Sequence, residues 1–522
     1  VVGGGLLADG TLGAIAGRAR AASGATPAGA AVGAAPAQVM SGRPVLTDGV
    51  QSGDVTETSA VLWARADRPA RLVAELSSTP SFRDRRRVRG PVVTPGGDLT
   101  GHLQVRGLAP GRPVFYRLAF EDLSDPTLTS EPLSGHFRTA PTRREDLSFV
   151  WSGDTAGQGW GINPDFGGMR IYEAIRQVQP DFFLHSGDNI YADGPIGASV
   201  PLPDGTTWRN LTTEAKSKVA ETLDEFRGNY RYNLMDDNLR RLYAEVPVLA
   251  QWDDHETRNN WFPGQILDDP RYTERRVDVL ATRSRRAFLE YMPMAEPSGD
   301  PEGRIYRTVR RGPLLDVMLL DERTYRGPNS PDDQTAPSPA TAFMGERQLA
   351  WLEHELERSR ATWKLIAADM PLGLVVPDGA NVEAVASGDP RLLGREFEFA
   401  RLLSFIKRRR IRNVVFVTAD VHYTAAHFYD PDKAVFQDFD PFWEFVSGPL
   451  NAGTFGPNAL DPTFGPQLRF QKVAPTANQP PSAGLQFFGH VTIDAASRAM
   501  TVRLKDLSGA TLFQVTLDAE GR

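Results

Sequence analysis

The chain has 522 residues, a formal net charge of −7, 41% hydrophobic and 24% charged residues, and no cysteine. That length exceeds one ordinary hydrophobic core, so two or more structural regions are expected, and the composition is that of a globular chain. The acidic balance leaves no nucleic-acid footprint, no apolar run is long enough to span a bilayer, and the missing thiols exclude disulfides, cysteine-type zinc sites and thiol nucleophiles together.

Residues 1–42 are Ala/Gly-rich with few charges and read as an export-signal remnant followed by a flexible linker. Between 43 and 141 the text changes to short alternating runs: SAVLWARAD (59–67), RLVAELSS (71–78), GHLQVRGL (101–108), VFYRLAFED (114–122) and GHFRTAP (135–141). Turn residues separate them, and this spacing predicts an all-β sandwich. The stretch LQVRGLAPGRPVFYRLAF resembles the strand–turn–strand of fibronectin type III-like domains. No catalysis is assigned to this region.

From 147 to 522 strand and helix patterns alternate. Strands are predicted at 147–153, 181–187, 246–252, 314–321, 363–369 and 413–420, and helices at 168–178, 214–243, 277–291, 345–360 and 394–410. Long apolar strands alternating with helices predict an α/β (α+β layered) sandwich, with helices flanking largely buried β-sheets. Runs at 487–495, 499–506 and 511–518 close the chain as a meander. Gly/Pro-rich loops at 195–210, 327–341 and 449–482 are long enough to act as lids or rims. The basic run 407–412 (KRRRIR) closes an apolar-periodic segment and is read as a helix end whose cations offset the dipole.

The chemistry collects at strand ends. DFFLHSGDNIYADG (181–194) runs from a buried strand into a loop with Asp188, Tyr191 and Asp193, where open α/β sheets put their ligands. Asp188 is placed to bridge two metal ions, with Tyr191 as an anionic oxygen partner. Other strands end in Asp154, in Asp253, Asp254, His255 and Glu256, in Asp369, and in Asp420 and His422. Left alone, clustered carboxylates repel and raise one another's pKa values, and metal ions relieve that repulsion. Hard oxygen donors with one or two imidazoles suit calcium, magnesium, manganese, zinc or ferric iron.

The series SGDTAG, HSGDNIYAD, QWDDHETRNNW, AADMP and TADVHYTAAH resembles the binuclear metallophosphoesterases, and within them the PhoD-type alkaline phosphatases. LDERTYRG (320–327), GERQLAWLEHELERSRATWKLI (345–366) and VSGPLNAG (446–453) match as well. The resemblance implies a metallophosphoesterase-like catalytic domain over 147–522 behind the N-terminal β-domain. It implies two or more metal ions, ferric iron and calcium, with zinc or manganese as alternatives. Asp188 becomes the bridging ligand, Asp154 the first-motif ligand and Tyr191 the phenolate on iron. Asp254 stands at the Asn of the family's Asn-His pair, with His255 beside it, and Asp420 and His422 form the last ligand pair. Asp369 lies where many relatives carry a ligating His. Two departures stand out: the cysteine thiolate of PhoD enzymes is absent, and Ala156 replaces the usual first-motif His.

The implied reaction is hydrolysis of phosphomonoesters, phosphodiesters or both by a hydroxide held between two metals, in an enzyme that is periplasmic or extracellular. His255 would protonate the leaving oxygen or steady the transition state. Arg323 and Arg326 are read as phosphate contacts, one beside the chemistry and one binding substrate, and Asn259 and Asn260 as further ligands or phosphate-contacting groups. Arg258 and Arg170 are weaker candidates, and His185 and His427 are read as residues of the strands that carry them. The aromatic stretch 436–470, with Trp443, Phe445 and Phe455, fits either a bulky organic substituent or a packed lid. Rival readings are a phosphodiesterase or phospholipase D-like enzyme acting on lipid headgroups or teichoic acid, and an inactive secreted binding protein holding structural calcium.

Overall fold

The apolar strands of the second region are buried on both faces because they lie inside a four-layer stack. In the computed structural model, which describes residues 42–295 and 303–521, two β-sheets pack face to face and each is covered on its outer side by helices. The expected linker over 1–42 falls, Gly42 apart, outside the described residues.

The first sheet has nine strands. At its centre Leu147–Ser152, Phe182–Ser186 and Val248–Gln251 run parallel, and the terminal meander Phe487–Ile493, Met500–Asp506 and Thr511–Leu517 extends one side. In the second sheet, of seven strands, Leu315–Leu319, Trp363–Ala367, Val414–Thr418 and Phe442–Val446 run parallel, with antiparallel strands outside them. Period-two alternation divides the side chains between layers. Phe149, Trp151, Phe182 and Leu184 meet Val317, Leu319, Leu365 and Val417 between the sheets. Their neighbours Val150, Phe183 and Ala250 pack against helices Ile171–Gln177, Leu223–Asn233, Asp237–Glu245 and Val277–Tyr291. Met318, Ile366 and Phe416 do the same against Glu346–Arg358 and Glu396–Arg408.

The two sheets are tied at the carboxyl ends of their parallel strands. Trp151 Nε1 donates to the Thr418 carbonyl at 3.2 Å, and Gln251 Nε2 donates to the Ala367 carbonyl at 2.9 Å. One rim of the sandwich therefore collects the loops after these seven parallel strands.

The expected β-sandwich has seven strands, with Leu46–Gly53, Ser59–Ala66 and Thr100–Arg106 facing a four-stranded sheet. Its three-stranded sheet does not stand alone. Gly53 pairs in parallel with Val248, so these strands continue the nine-stranded sheet. Asp54 and Arg307 form a buried ion pair at 2.8 Å across the same seam.

Several local features differ from the sequence reading, among them a short hairpin of Ser199–Pro201 with Thr207–Arg209 inside the expected loop 195–210. The helix expected over 214–243 is two helices, broken where Asp236 leaves the helical conformation and caps Asp237–Glu245 by accepting from Leu239 N–H at 2.9 Å. The loop expected over 449–482 contains the edge strand Pro466–Lys472, whose Gln467, Arg469 and Gln471 hide it from an apolar pattern.

Candidate metal centre

The site is built from strand ends that turn sharply. Asp154, Asp188, Asp420 and His422 all have positive φ, 71°, 50°, 62° and 55°, as does Asn260 at 58°. Such backbone costs of order 1–3 kcal/mol per residue and persists only where neighbours fix it. Here Thr155 N–H donates to the Asp188 carbonyl at 2.9 Å, and Asn451 N–H donates to the Asp154 carbonyl at 3.0 Å. Glycines allow the close approaches: a Cβ on Gly448 would lie 2.1 Å from Asp154 Oδ2, and one on Gly187, at φ +87°, would lie 2.5 Å from Asp253 Cβ.

Two groups of donors result, and they share one residue. Asp154, Asp188 and His422 each offer an atom within 4.8 Å of the others, and so do Asp188, Asp254 and His255. Tyr191 belongs beside the first group, with its hydroxyl 2.7 Å from His422 Nε2. His422 Nδ1 is engaged by the Gly453 carbonyl, which leaves the Nε2 lone pair to meet the Tyr191 hydroxyl, with Asp154 Oδ1 at 3.7 Å. Asp154 Oδ2 and Asp254 Oδ1 are buried and have no hydrogen-bond partner. Unpartnered buried carboxylate oxygens are costly, and a cation between them removes the cost, so these residues fit a pair of metal ions.

The electrostatics agree. Burial, then the neighbouring carboxylates, holds Asp188 well above the usual carboxylate range. Asp154 rises for the same first reason, although His255 opposes the rise. Burial followed by Asp188 and Asp154 keeps the Tyr191 phenol protonated unless positive charge enters the site. Burial, helped by the charge of His255 and opposed by the Gly453 carbonyl, takes His422 down to about 3, the neutral form that a metal needs.

His255 is different in kind. Its Nδ1 lies 2.7 Å from Asp193 Oδ1, and its Nε2 lies 3.9 Å from Asp254 Oδ1. Burial lowers its pKa, but Asp193 and Asp254 outweigh that and push it up to about 10. An imidazolium has no lone pair for a metal, so this geometry suits a proton donor. Asp193 also accepts from Asn259 N–H at 2.8 Å. Asn260 donates its N–H to Asp254 and its Nδ2 to Asp378 at 3.0 Å, which fixes the Asp254 side chain from behind.

The remaining candidates are dispersed. Arg323 is fully buried and bonded to Asp253 and Glu383, with Asp369 at 3.7 Å. Arg326 donates to Asn329 at 3.0 Å and to the Glu383 carbonyl. Asp369 lies outside both donor groups, facing Glu322 and Asp253. Burial and Glu322 raise it well above the carboxylate range, and burial pushes Glu322 up to about 7. Asp420 is in neither group, and burial, then the charges of Asp253, Glu383 and Asp254, raises it well above the carboxylate range. Arg170 stacks on Phe166, and Arg258 lends charge to Asp193. His185 bonds Thr155 Oγ1 at 3.0 Å, and His427 lies 3.2 Å from Glu444, both in the interior.

Three partners carried too little sequence signal to be assigned roles. Asp193 lies inside the 181–194 stretch, but its partner is 62 residues away. Glu256 accepts from both nitrogens of Asn189 and from Asp253 N–H. Lys216 donates to the Tyr191 carbonyl at 2.6 Å, and burial brings its ammonium to about 7.

Solved structures share this architecture. A structure of PhoD superposes with a TM-score of 0.69 at 21% identity, covering 93% of this chain and 92% of that one. Purple acid phosphatase PPD1 from yellow lupin seeds gives 0.55 at 12% identity, covering 92% and 75%. The fold is thus the mixed two-sheet sandwich of those phosphatases. The PhoD-like phosphatase model matches residues 149–504, and the model of the PhoD-like phosphatase N-terminal domain matches residues 33–141. The chain belongs to the PhoD-like phosphatase family. Alkaline phosphatase D of Bacillus subtilis (strain 168) is 27% identical over 400 residues, 72% of this chain, and the chain spans 64% of that relative's length.

Proposed function

We propose that this chain is a metal-dependent phosphoesterase that hydrolyses phosphomonoesters, phosphodiesters or both. The observation that carries the reading is Asp188, which belongs to two donor groups at once and so would bring two cations side by side. Asp154, Asp188, Tyr191 and His422 would hold one ion, and their phenol, carboxylates and single imidazole suit iron. Asp188 and Asp254 would hold the other, and carboxylate oxygens of this kind suit calcium or manganese; Asp420 and Asn260 are proposed as further oxygen ligands on the sequence resemblance. Bound there, two metals supply Lewis-acid charge and a nucleophilic water of lowered pKa.

The protein's own groups complete the chemistry. Asp193 keeps His255 protonated, and His255 delivers that proton to the leaving oxygen as the ester bond breaks. Asn259 and Asn260 lie on the same loop as His255 and are read as contacts to the phosphate. Because Arg323 is buried against Asp253 and Glu383, it supports the carboxylates behind the centre in this reading, whereas Arg326 holds the Asn329 side chain and the Glu383 carbonyl. The cysteine-free composition is compatible with the expected export, and no helix among the described residues is long and apolar enough to cross a membrane.

The test is elemental analysis per chain on protein purified without added metal, coupled to turnover of aryl phosphomonoester and phosphodiester substrates before and after chelation. About two equivalents, with turnover lost on chelation and regained on reloading, is the expected result. Metal without turnover of either ester would replace the enzyme by a binding protein with structural cations.

A further inference from the structure

The basic run 407–412 has no part in the metal centre, and the fold gives it company. It lies where helix Glu396–Arg408 ends, beside a cleft of about 1240 Å³. Thr362, Lys364 and Asn413 line this cleft at the starts of two parallel strands, whereas Asp369 and Asp420 follow the ends of the same strands. The cleft is therefore at the opposite end of the sheet from the donor groups.

Eight cationic side chains line it, against Glu357 and Glu520, in a protein whose net charge is −7. Arg358 and Arg360 come from the end of helix Glu346–Arg358, and Arg409, Arg410 and Arg412 follow the other helix. Helix dipoles account for cations at those two ends. They do not account for Arg144, Lys364 and Arg498, which arrive from a linker, a strand and a turn. Arg409 meets Glu357 at 3.4 Å, and Arg412 meets Glu520 at 3.4 Å. Among the described residues no carboxylate lies within ion-pair distance of Arg144, Arg358, Arg410 or Arg498. A concave surface of one sign focuses its field and concentrates counter-ions.

We propose that this cleft is a second binding site, for a linear polyanion of repeated phosphate groups. Guanidinium forks match phosphate oxygens, and the cleft exceeds the roughly 300–1,000 Å³ of a pocket for one small ligand. No aromatic side chain lines it, which disfavours the base stacking that single-stranded nucleic acid uses. None of the exposed large hydrophobic residues lies in it, which disfavours insertion into a lipid surface. The site is independent of the proposed reaction and stands or falls separately.

The experiment measures binding of end-labelled inorganic polyphosphate by fluorescence anisotropy, across salt concentrations, to the wild-type chain, to Asp188→Asn, and to a triple variant Arg144→Glu, Arg410→Glu, Arg498→Glu. Expected are tight binding at low salt that weakens steeply as salt rises, retention in Asp188→Asn, and a loss of at least about tenfold in the triple variant. The triple variant should melt like wild type and turn over a small aryl phosphate at the wild-type rate. Equal binding by the triple variant overturns the site, and loss in Asp188→Asn moves the polymer to the metal centre. Orthophosphate competing as well per phosphate as the polymer would reduce the cleft to a simple anion patch. Binding of vesicles rich in anionic lipid, without binding of polyphosphate, would make it a membrane contact. Each of these results overturns the proposal.

Discussion

Nδ1 of His255 lies 2.7 Å from Oδ1 of Asp193, and this contact joins the loop after one central strand to the loop after its neighbour. It sets both charges. Burial works against the imidazolium, yet Asp193 and Asp254 hold it at about 10, and against burial His255 brings Asp193 to about 2. The raised histidine value means that its stabilising contribution is complete below the unfolded value of about 6.5 and is lost as pH climbs through about 10. The depressed aspartate contributes above its ordinary 3.8 and loses that contribution as pH falls through about 2.

Asp193→Asn should therefore bring the alkaline limb of the kcat profile down by about 1–3 pH units without changing metal content. His255→Ala should lower kcat by roughly 10²–10⁴ for alkyl phosphates, whose leaving oxygen needs a proton, and by much less for nitrophenyl esters. Equal losses on both substrates would remove His255 from the proton-transfer step.

Asp188 and Asp154 predict how metal content responds to mutation. Because Asp188 is common to both donor groups, Asp188→Ala should strip both ions, whereas Asp154→Asn should strip the one beside Tyr191 and His422. Stability should follow with a defined sign. In the chelated protein these carboxyls have raised pKa values, so the folded state holds protons that the unfolded chain releases. Its stability should then fall as pH rises from about 4. The loaded protein, whose carboxylates face cations, should not show that fall. Thermal melts with and without chelator between pH 5 and 8 read the difference.

Arg323 was expected to meet substrate phosphate, and its burial points to a different role. It has no exposed side-chain surface, and it sits among Asp253, Glu383 and Asp369. Removing one member of a buried charge network leaves the others uncompensated. Arg323→Ala should cost about 3–5 kcal/mol in urea unfolding. Where the variant still folds, KM should change little. A large rise in KM at unchanged stability would return Arg323 to the substrate.

These residues also show what a sequence can disclose. That Asp188, Tyr191, Asp254, His255 and His422 come together was legible because each ends or follows an apolar strand within a few residues, and parallel strands bring such ends to one rim. The layered sandwich was legible for the same reason, since strands buried on both faces read as unbroken apolar runs. The partners of those residues were not. Nothing near Asp193 announces a histidine 62 positions on, and nothing near Arg323 announces Glu383. Asp369 looks like a ligand at a strand end, yet it turns toward Glu322 and Asp253. The strand Leu46–Gly53 has too little apolar alternation to reveal that the N-terminal sandwich continues the main sheet.

The aromatic stretch 436–470 divides between its two readings. Phe445 is buried between the sheets and stacks on Trp443 with ring centroids 5.4 Å apart, so both belong to packing. Phe455 is 38% exposed, and its ring centroid lies 4.7 Å from that of His422. An exposed ring beside the proposed ligand His422 is placed to meet the organic part of an ester in the proposed reaction. Aromatic contacts of this kind are worth about 0.5–1.5 kcal/mol. Phe455→Ala should therefore raise KM by roughly two- to tenfold for aryl or long-chain esters, with little change for methyl phosphate and none in melting temperature. A uniform loss of kcat across all esters would mean instead that the ring acts by holding His422 in place. Metal content would then fall with it.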